Sequence, residues 1–468
     1  MLLNFTCNNF KSFRDGFGFN MIPEKRMNEL DYSILTENTH GSTEKALSVS
    51  AIYGPNAAGK TSVVNAMSAL KQIILRGNIR DAVDDVTADH ISNSLNLAPF
   101  AFRDDASPVS FDVTFTSEGT KFRYVLEIFL GTFLDKCSER YVNSEKLYVN
   151  DSLIFERAKT SVEKLKLDKI KEHLNVGYEL KDTEKTRRAM SSNITSDSLL
   201  LVTDFNSFCS KKLVSQIRKW FEEDFVVVNS SDRTRFYPGL PEDDGRAMIN
   251  VYINKIANEA GIIGSDFAYV NDPETHATKL MSVLKKTDDK LYGLDADRIE
   301  SVGTMRLISI MPIIISALKK GAVLVMDEMD ASLHPMIIMN IITIFHNDSV
   351  NKKGAQLIFN THNPIYLNHN LLRRDEIKFV ERNKETKSST LYALSDFKAN
   401  GESSVRKTSD YMKNYFLGRY GAIEDTDFSE VICDIPKEDD GYVAMLERRV
   451  GDVRVGKNMH KHALMDEE

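Results

Sequence analysis

The chain has 468 residues, 42% of them hydrophobic, and a formal net charge of −8. This is enough apolar content for one large cored domain or two to three smaller ones, and the net acidity excludes a surface that attracts nucleic acid all over. The four cysteines, Cys7, Cys137, Cys209 and Cys433, lie far apart with no C-x-x-C pair, which argues for reduced thiols and against a zinc site.

Residues 1–22 alternate in the manner of strands, with Leu3, Phe5 and Cys7 on one face and Phe10, Phe13, Phe17 and Phe19 following. The start lacks the basic flank and cleavage site of a signal peptide. The longest apolar run, from Leu307 to Leu318, is too short to span a bilayer. A cytoplasmic protein without a membrane partner is expected. Residues 23–46 are polar and read as a long loop. Leu47 to Tyr53 reads as a strand, and Val63 to Leu70 opens a helix that ends near Arg76-Gly77.

Between strand and helix stands Gly54-Pro55-Asn56-Ala57-Ala58-Gly59-Lys60-Thr61-Ser62, which fits G-x-x-x-x-G-K-[ST]. The two glycines let the backbone curl so that successive N–H groups face phosphate oxygens. The helix start adds its positive dipole end. Lys60 suits the β- and γ-phosphates, and the Thr61 hydroxyl suits magnesium. ATP and Mg2+ are the cofactors this pattern implies.

Residues 78–98 read as a loop or short helix. Within 99–157, Val109 to Phe115 and Lys121 to Ile128 alternate around Ser117-Glu118-Gly119, and Lys146 to Val149 and Leu153 to Phe155 flank Asn150-Asp151. These predict two antiparallel hairpins. Residues 158–290 read as mainly helical and charged, over Thr160 to His173, Ser196 to Phe221 and Gly245 to Lys286. Basic clusters recur there (Lys164, Lys166, Lys169, Lys171; Arg187, Arg188; Lys211, Lys212, Arg218, Lys219), but acidic residues interleave with most of them. A solvated helical subdomain is the favoured reading over a DNA platform, and no heptad run predicts a long coiled coil.

Residues 291–397 return to α/β alternation. Ala322 to Met326 and Gln356 to Phe359 read as buried parallel strands, Pro335 to His346 as a helix with proline in its first turn. The pairs 377–380 and 390–393 suggest an edge hairpin. Residues 403–418 read as a helix, and 424–468, acidic then basic, as partly disordered.

Three further stretches carry chemistry. Asp327-Glu328 closes the strand ending at Met326, where a carboxylate faces the ligand crevice of a parallel sheet. Asp327 suits magnesium, and Glu328 suits a general base for an attacking water. Asp330 and His334 follow, and Thr361-His362 ends the next strand, where a histidine can reach a γ-phosphate. Upstream, Ser301-Val302-Gly303-Thr304 opens an apolar helix with a start suited to an anion.

In this order the motifs resemble the ATPases of the ABC superfamily, above all the SMC-like and OLD-like ATPases. Asn8-Asn9-Phe10-Lys11-Ser12-Phe13 is similar to that clade's opening motif. The resemblance implies an α/β fold: an ABC-type P-loop ATPase head, a mixed sheet with flanking helices and an antiparallel β section, with an inserted helical subdomain. It implies domains over 1–157, 158–290 and 291–421, and a tail over 422–468. It also implies that Lys60, Thr61, Asp327, Glu328 and His362 act on one nucleotide. Ser301, Gly303 and Thr304 would meet the nucleotide of a second subunit, and Asp330 would sit in a D-loop across the dimer axis. The signature reads Glu-Ser-Val-Gly-Thr where Leu-Ser-Gly-Gly-Gln is usual, and Gln72 lies too close to the phosphate loop to serve as the Q-loop glutamine.

The Ser-x-Gly-Thr form, Pro99 to Phe102, and Tyr415 to Gly421 resemble the RloA, AbiL and PtuA ATPases of bacterial anti-phage systems. The implied partners are a second copy of the chain, in a homodimer or higher homo-oligomer, and a separately encoded effector, commonly a nuclease. Only 47 residues follow Gly421, too few for a nuclease domain. Nucleic-acid binding by the chain alone is expected to be weak. A DNA-repair or chromosome-maintenance ATPase is the alternative. The absence of long heptads and of a C-x-x-C hook argues against long-armed repair proteins. A transporter subunit would not need the 158–290 insertion, and a small-molecule kinase would not need the Ser-x-Gly-Thr element.

Overall fold

The computed structural model describes residues 1–25, 30–80, 95, 97–133, 139–229, 248–249, 251–271, 278–285, 290–399, 403–405, 409–424 and 427–429. Strand β1 (Leu2–Asn8) and β2 (Phe17–Asn20) pair antiparallel, with Leu2, Phe5, Cys7, Phe17 and Phe19 buried. The stretch read as a long loop contains a hairpin instead, β3 (Ile34–Thr39) and β4 (Ser42–Leu47), in register from Ile34↔Leu47 to Thr39↔Ser42. Thr36, Asn38, Thr43 and Lys45 are exposed, so no apolar alternation marks these strands. β5 (Val49–Tyr53) is wholly buried. Helix α1 (Lys60–Arg76) follows the glycine loop and stops at Gly77, whose φ of 74° suits a residue without Cβ.

Next come β6 (Val109–Ser117), β7 (Thr120–Phe129), β8 (Tyr141–Val149), β9 (Ser152–Ala158) and β10 (Ser161–Leu165). Both hairpins turn where their sequences predict. Glu118, Gly119, Asn150 and Asp151 all adopt positive φ there. With β1 and β2 these strands make a seven-stranded antiparallel sheet, in the order β10-β9-β8-β7-β6-β1-β2. Most of the 78–98 stretch lies outside the described residues.

Within 158–290, α2 (Thr183–Asn193) forms outside the stretches read as helices, and the stretch from Ser196 to Phe221 carries the helical segments expected there, π-helical Leu201–Cys209 and α3 (Lys211–Lys219). Residues 158–290 also carry strands, which corrects the mainly helical reading. Thr160 to His173 forms β10 and a 3-10 turn, because Val162 is buried and pairs with Arg157 of β9. β11 (Phe225–Val228) leaves this segment and joins the core sheet. Beyond it, β12 (Met248–Ile249), α4 (Val251–Glu259), β13 (Asp266–Asn271), β14 (Thr278–Lys285) and β15 (Leu291–Asp295) include a four-stranded antiparallel sheet.

The remaining elements are α5 (Ala296–Ile299), α6 (Val302–Lys320), β16 (Val323–Met326), α7 (Pro335–His346), β17 (Gln356–Asn360), β18 (Ile377–Arg382), β19 (Ser389–Ala393), β20 (Lys398–Ala399), β21 (Ser403–Ser404) and α8 (Tyr411–Phe416). The helix expected over 403–418 is confined to α8, since Ser403–Ser404 pairs with Lys398–Ala399 instead. Most of the 424–468 tail lies outside the described residues. Among the described residues, α6 is the one helix long and apolar enough to cross a membrane. Leu307, Ile308, Ile310, Ile314 and Ala317 of that helix are buried in the protein core.

The core sheet runs β11-β16-β17-β5-β18-β19, parallel throughout except for the last pair. It is the mixed sheet with flanking helices expected beside an antiparallel section. α1 lies between the two sheets, burying Val63, Met67, Leu70 and Ile74 in one cluster with Phe111, Phe115 and Phe122. Trp220 bridges the layers, its ring 4.0 Å from that of Phe115 and 4.9 Å from that of Phe225. α6 and α7 cover the opposite face with Ile314, Ile338 and Ile342. This sandwich fixes the ends of β5, β16 and β17 side by side, and the candidate site is built on those three ends.

Candidate nucleotide site

The glycine loop leaves β5 between β17 and β18. Gly54 has φ 153°, and a Cβ there would lie 2.3 Å from the Val380 carbonyl oxygen on β18. At Gly59, φ is 113° and a Cβ would lie 2.4 Å from Ser12 Oγ. Neither position admits a side chain, which is the physical reason for glycine at both. The loop is tied from outside as well. Ser389 Oγ donates to the Ala58 carbonyl at 2.5 Å, Ser389 N donates to the Ser12 carbonyl at 2.7 Å, and Ser12 Oγ donates to Ser62 Oγ at 3.2 Å. Asn56 and Ala57 are exposed at the loop tip, beside Pro55.

Lys60 folds back over this loop. Its Nζ donates to the Gly54 and Pro55 carbonyls at 2.8 Å each. Burial pushes its ammonium down to about 8, against the opposing pull of Asp327, Glu328 and Asp330. Asp327 is fully buried just beyond β16, and its N–H donates to the Val228 carbonyl of β11 at 2.9 Å. Thr61 Oγ1 donates to Asp327 Oδ1 at 3.1 Å. Asn360 Nδ2 donates to the same oxygen, and Asn360 Oδ1 accepts the N–H of Glu328. Glu328 itself has φ 49° and an exposed side chain. Asp330 Oδ2 accepts from Thr361 Oγ1 at 2.6 Å. His362 follows, its pKa lowered by desolvation and then by the Lys60 charge, so its imidazole is neutral at pH 7.

Asn56, Gly59, Lys60, Thr61, Ser62, Glu328 and His362 line one open cleft of about 440 Å³. Lys11, Ser12, Phe102, Asn360 and Arg382 line it too, and sequence reasoning gave none of these five a role in the site. Lys11, Ser12 and Phe102 sit inside motifs that were legible. Asn360 left one signal, a polar residue directly after the apolar run Leu357 to Phe359. Arg382 left none, since its position depends on the β18–β19 hairpin, which brings its Nη1 within 3.4 Å of the Ala57 carbonyl.

Ser301, Gly303 and Thr304 are not among the residues lining that cleft. Ser301 caps α6, its Oγ accepting from Thr304 N at 3.1 Å. Gly303 is pressed against the loop after Asp330, where a Cβ would lie 2.6 Å from the Ser332 carbonyl oxygen. The arrangement therefore offers two separate surfaces: a glycine-loop cleft with Glu328 at its wall, and a helix start whose exposed Ser301 does not line that cleft.

No curated protein matches the sequence. Solved structures similar to the chain include the SMC head domain from Thermotoga maritima, with 15% identity, a TM-score of 0.37, and coverage of 84% of this chain and 98% of that one. An SmcHead bound to the C-winged helix domain of ScpA is similar at 13% identity and a TM-score of 0.36, over 84% of this chain and 97% of that one. A Pyrococcus furiosus Smc head domain with an extended coiled coil is similar at 13% identity and a TM-score of 0.34, covering 84% and 96%. The family model described as "AAA domain, putative AbiEii toxin, Type IV TA system" matches residues 49–368, a span that holds the glycine loop, both carboxylates and His362, and the chain belongs to that family.

Proposed function

We propose that the protein is an ABC/SMC-like ATPase that binds ATP with magnesium, hydrolyses it, and serves as sensor or regulatory scaffold of an anti-phage, abortive-infection system. The observation that carries the hydrolytic reading is the meeting of Lys60, Thr61 and Glu328 at one cleft, with Thr61 Oγ1 on Oδ1 of the buried Asp327 behind it. An all-oxygen pair of hydroxyl and carboxylate fits magnesium, a hard cation, and these two residues would hold it. Bound there, the ion supplies charge neutralisation for the phosphates. Lys60 and the loop N–H groups hold the β- and γ-phosphates. Glu328 takes a proton from the attacking water. His362, neutral and beside Lys60, hydrogen-bonds at the γ-phosphate end.

Ser301, Gly303 and Thr304 complete the site of a second copy, in a homodimer or higher homo-oligomer, with Asp330 near the two-fold axis. Their place outside the chain's own cleft supports this pairing. The family's description, which names AbiEii and Type IV TA systems, supports the defence role, as does the RloA-, AbiL- and PtuA-like patterning. The effector is a separately encoded protein, commonly a nuclease. The test is a plaque assay in cells carrying the gene with its neighbours. Protection should need Lys60, Glu328 and an adjacent effector gene. Protection unaffected by Lys60→Ala would remove the reading.

A further inference from the structure

Strand β17 is apolar from Leu357 to Phe359 and then ends on Asn360, which is 1% exposed. A buried primary amide has to satisfy both a donor and an acceptor. Asn360 does so with two neighbours in sequence: its Nδ2 donates to Asp327 Oδ1, and its Oδ1 accepts the N–H of Glu328. The geometry of the strands explains why this link exists. β16 and β17 pair in parallel up to Met326↔Phe359. Past that point the ladder stops and Glu328 turns to φ 49°, a region that residues with a side chain seldom enter. The turn takes the Glu328 N–H out of the ladder, and the Asn360 side chain receives it. The same Asp327 oxygen also accepts from Thr61 Oγ1 at 3.1 Å, and Asn360 lines the cleft.

Resting on the ATPase reading above, we infer that Asn360 is the positioning residue of the carboxylate pair. Its amide sets the orientation in which Asp327 meets a divalent ion. It also holds the left-handed turn that sends the Glu328 side chain into the cleft. It acts through these two residues. The residue type follows from the task. One planar group must donate to an anion and accept from an N–H at a single reach, and a primary amide does both. Aspartate at 360 would bring a second negative charge against Asp327. Alanine would leave a partly buried N–H and a buried carboxylate oxygen each short of a partner.

The test uses the full chain with Asn360→Asp and Asn360→Ala, and Glu328→Gln as reference. Binding of a non-hydrolysable ATP analogue should stay within about threefold of the unchanged protein, because the phosphate loop is untouched. Affinity for Mn2+ in the presence of that analogue, read by electron paramagnetic resonance, should fall at least ~10-fold, the usual scale for losing a group that orients a metal ligand. Turnover should fall at least ~10-fold while KM for ATP changes little. Glu328→Gln should lose turnover and keep Mn2+ affinity. Unchanged Mn2+ affinity and turnover in both Asn360 variants would overturn the inference. So would loss of folding or of analogue binding in both, which would make Asn360 a purely structural residue. Should the unchanged protein lack ATPase activity while the Mn2+ effect is seen, the hydrolytic reading fails and the positioning role stands.

Discussion

Thr61 and Asp327 are 266 residues apart in the chain, and Thr61 Oγ1 donates to Asp327 Oδ1 at 3.1 Å. One sits in the first turn of α1 and the other just past β16. Their contact joins the helix after the glycine loop to the carboxylate pair, and it exists because β17 is shared as a neighbour by β5 and β16.

Hydrolysis should depend on Lys60 and Glu328 in different ways. Lys60→Ala removes a charge-assisted phosphate contact and should weaken ATP binding. Glu328→Gln should bind ATP but turn over at least ~100-fold more slowly, the scale of a lost general base. Phosphate release and nucleotide titration check the two effects. Normal turnover by Glu328→Gln would sink its assignment as base.

Composite sites should show up by complementation. Lys60→Ala and Ser301→Arg should each be inactive alone. In a mixed two-fold dimer both lesions fall in one site and the other site is intact. ATPase activity should therefore return in the mixture. A mixture that stays inactive while its subunits demonstrably exchange would rule out shared sites.

DNA binding by the isolated protein should be weak. Lys164 pairs with Glu156 at 2.7 Å, Arg187 with Glu184 at 3.1 Å and Lys219 with Glu118 at 2.9 Å, so each of the three clusters has at least one basic residue matched by a carboxylate. Mobility-shift assays at about 150 mM salt should show no sub-micromolar complex, since purely electrostatic contacts weaken steeply with salt. A tight complex there would favour the DNA-repair alternative.

ATP affinity should fall as pH rises past about 8. Burial brings both Lys11 and Lys60 down to about 8. The free protein then sheds these protons above that pH, whereas bound phosphate retains them. Each lysine accounts for a loss of up to about tenfold between pH 7 and 9. Lys11→Arg should remove its share of the slope. The same depressed values make fold stability rise between about 8 and the ordinary 10.5, because the unfolded chain binds more protons there. Affinity that is flat from pH 7 to 9 contradicts this account.

Arg157→Met should destabilise the fold by about 3–5 kcal/mol, the cost of breaking a buried ion pair on one side. Arg157 and Glu145 are both fully buried and 3.2 Å apart. Arg157 also donates to the Thr195, Ser198 and Lys159 carbonyls, while Glu145 accepts from Leu200 N, Leu201 N and Tyr124 OH. Together they clip residues 195–201 to the antiparallel sheet. The shift in urea midpoint measures the loss, and a change under about 1 kcal/mol would deny the pair that role.

What the sequence determined alone is what local chemistry dictates. Gly54 and Gly59 announce a backbone that admits no Cβ. Glu118-Gly119 and Asn150-Asp151 announce their own turns. Val323 to Met326 announces a strand buried on both faces, because each pattern is written in the residues that adopt it. Tertiary structure decided the rest. Phe225–Val228 is a short apolar run among charged helices, and nothing in its own period shows that it pairs with Val323–Met326. Asn360 gains its partners only when β17 lies against β16. Likewise, Gly303 meets the Ser332 carbonyl only when the start of α6 packs on the loop after Asp330. Such relations join residues tens to hundreds of positions apart, and strand pairing at that range leaves no local periodicity to read.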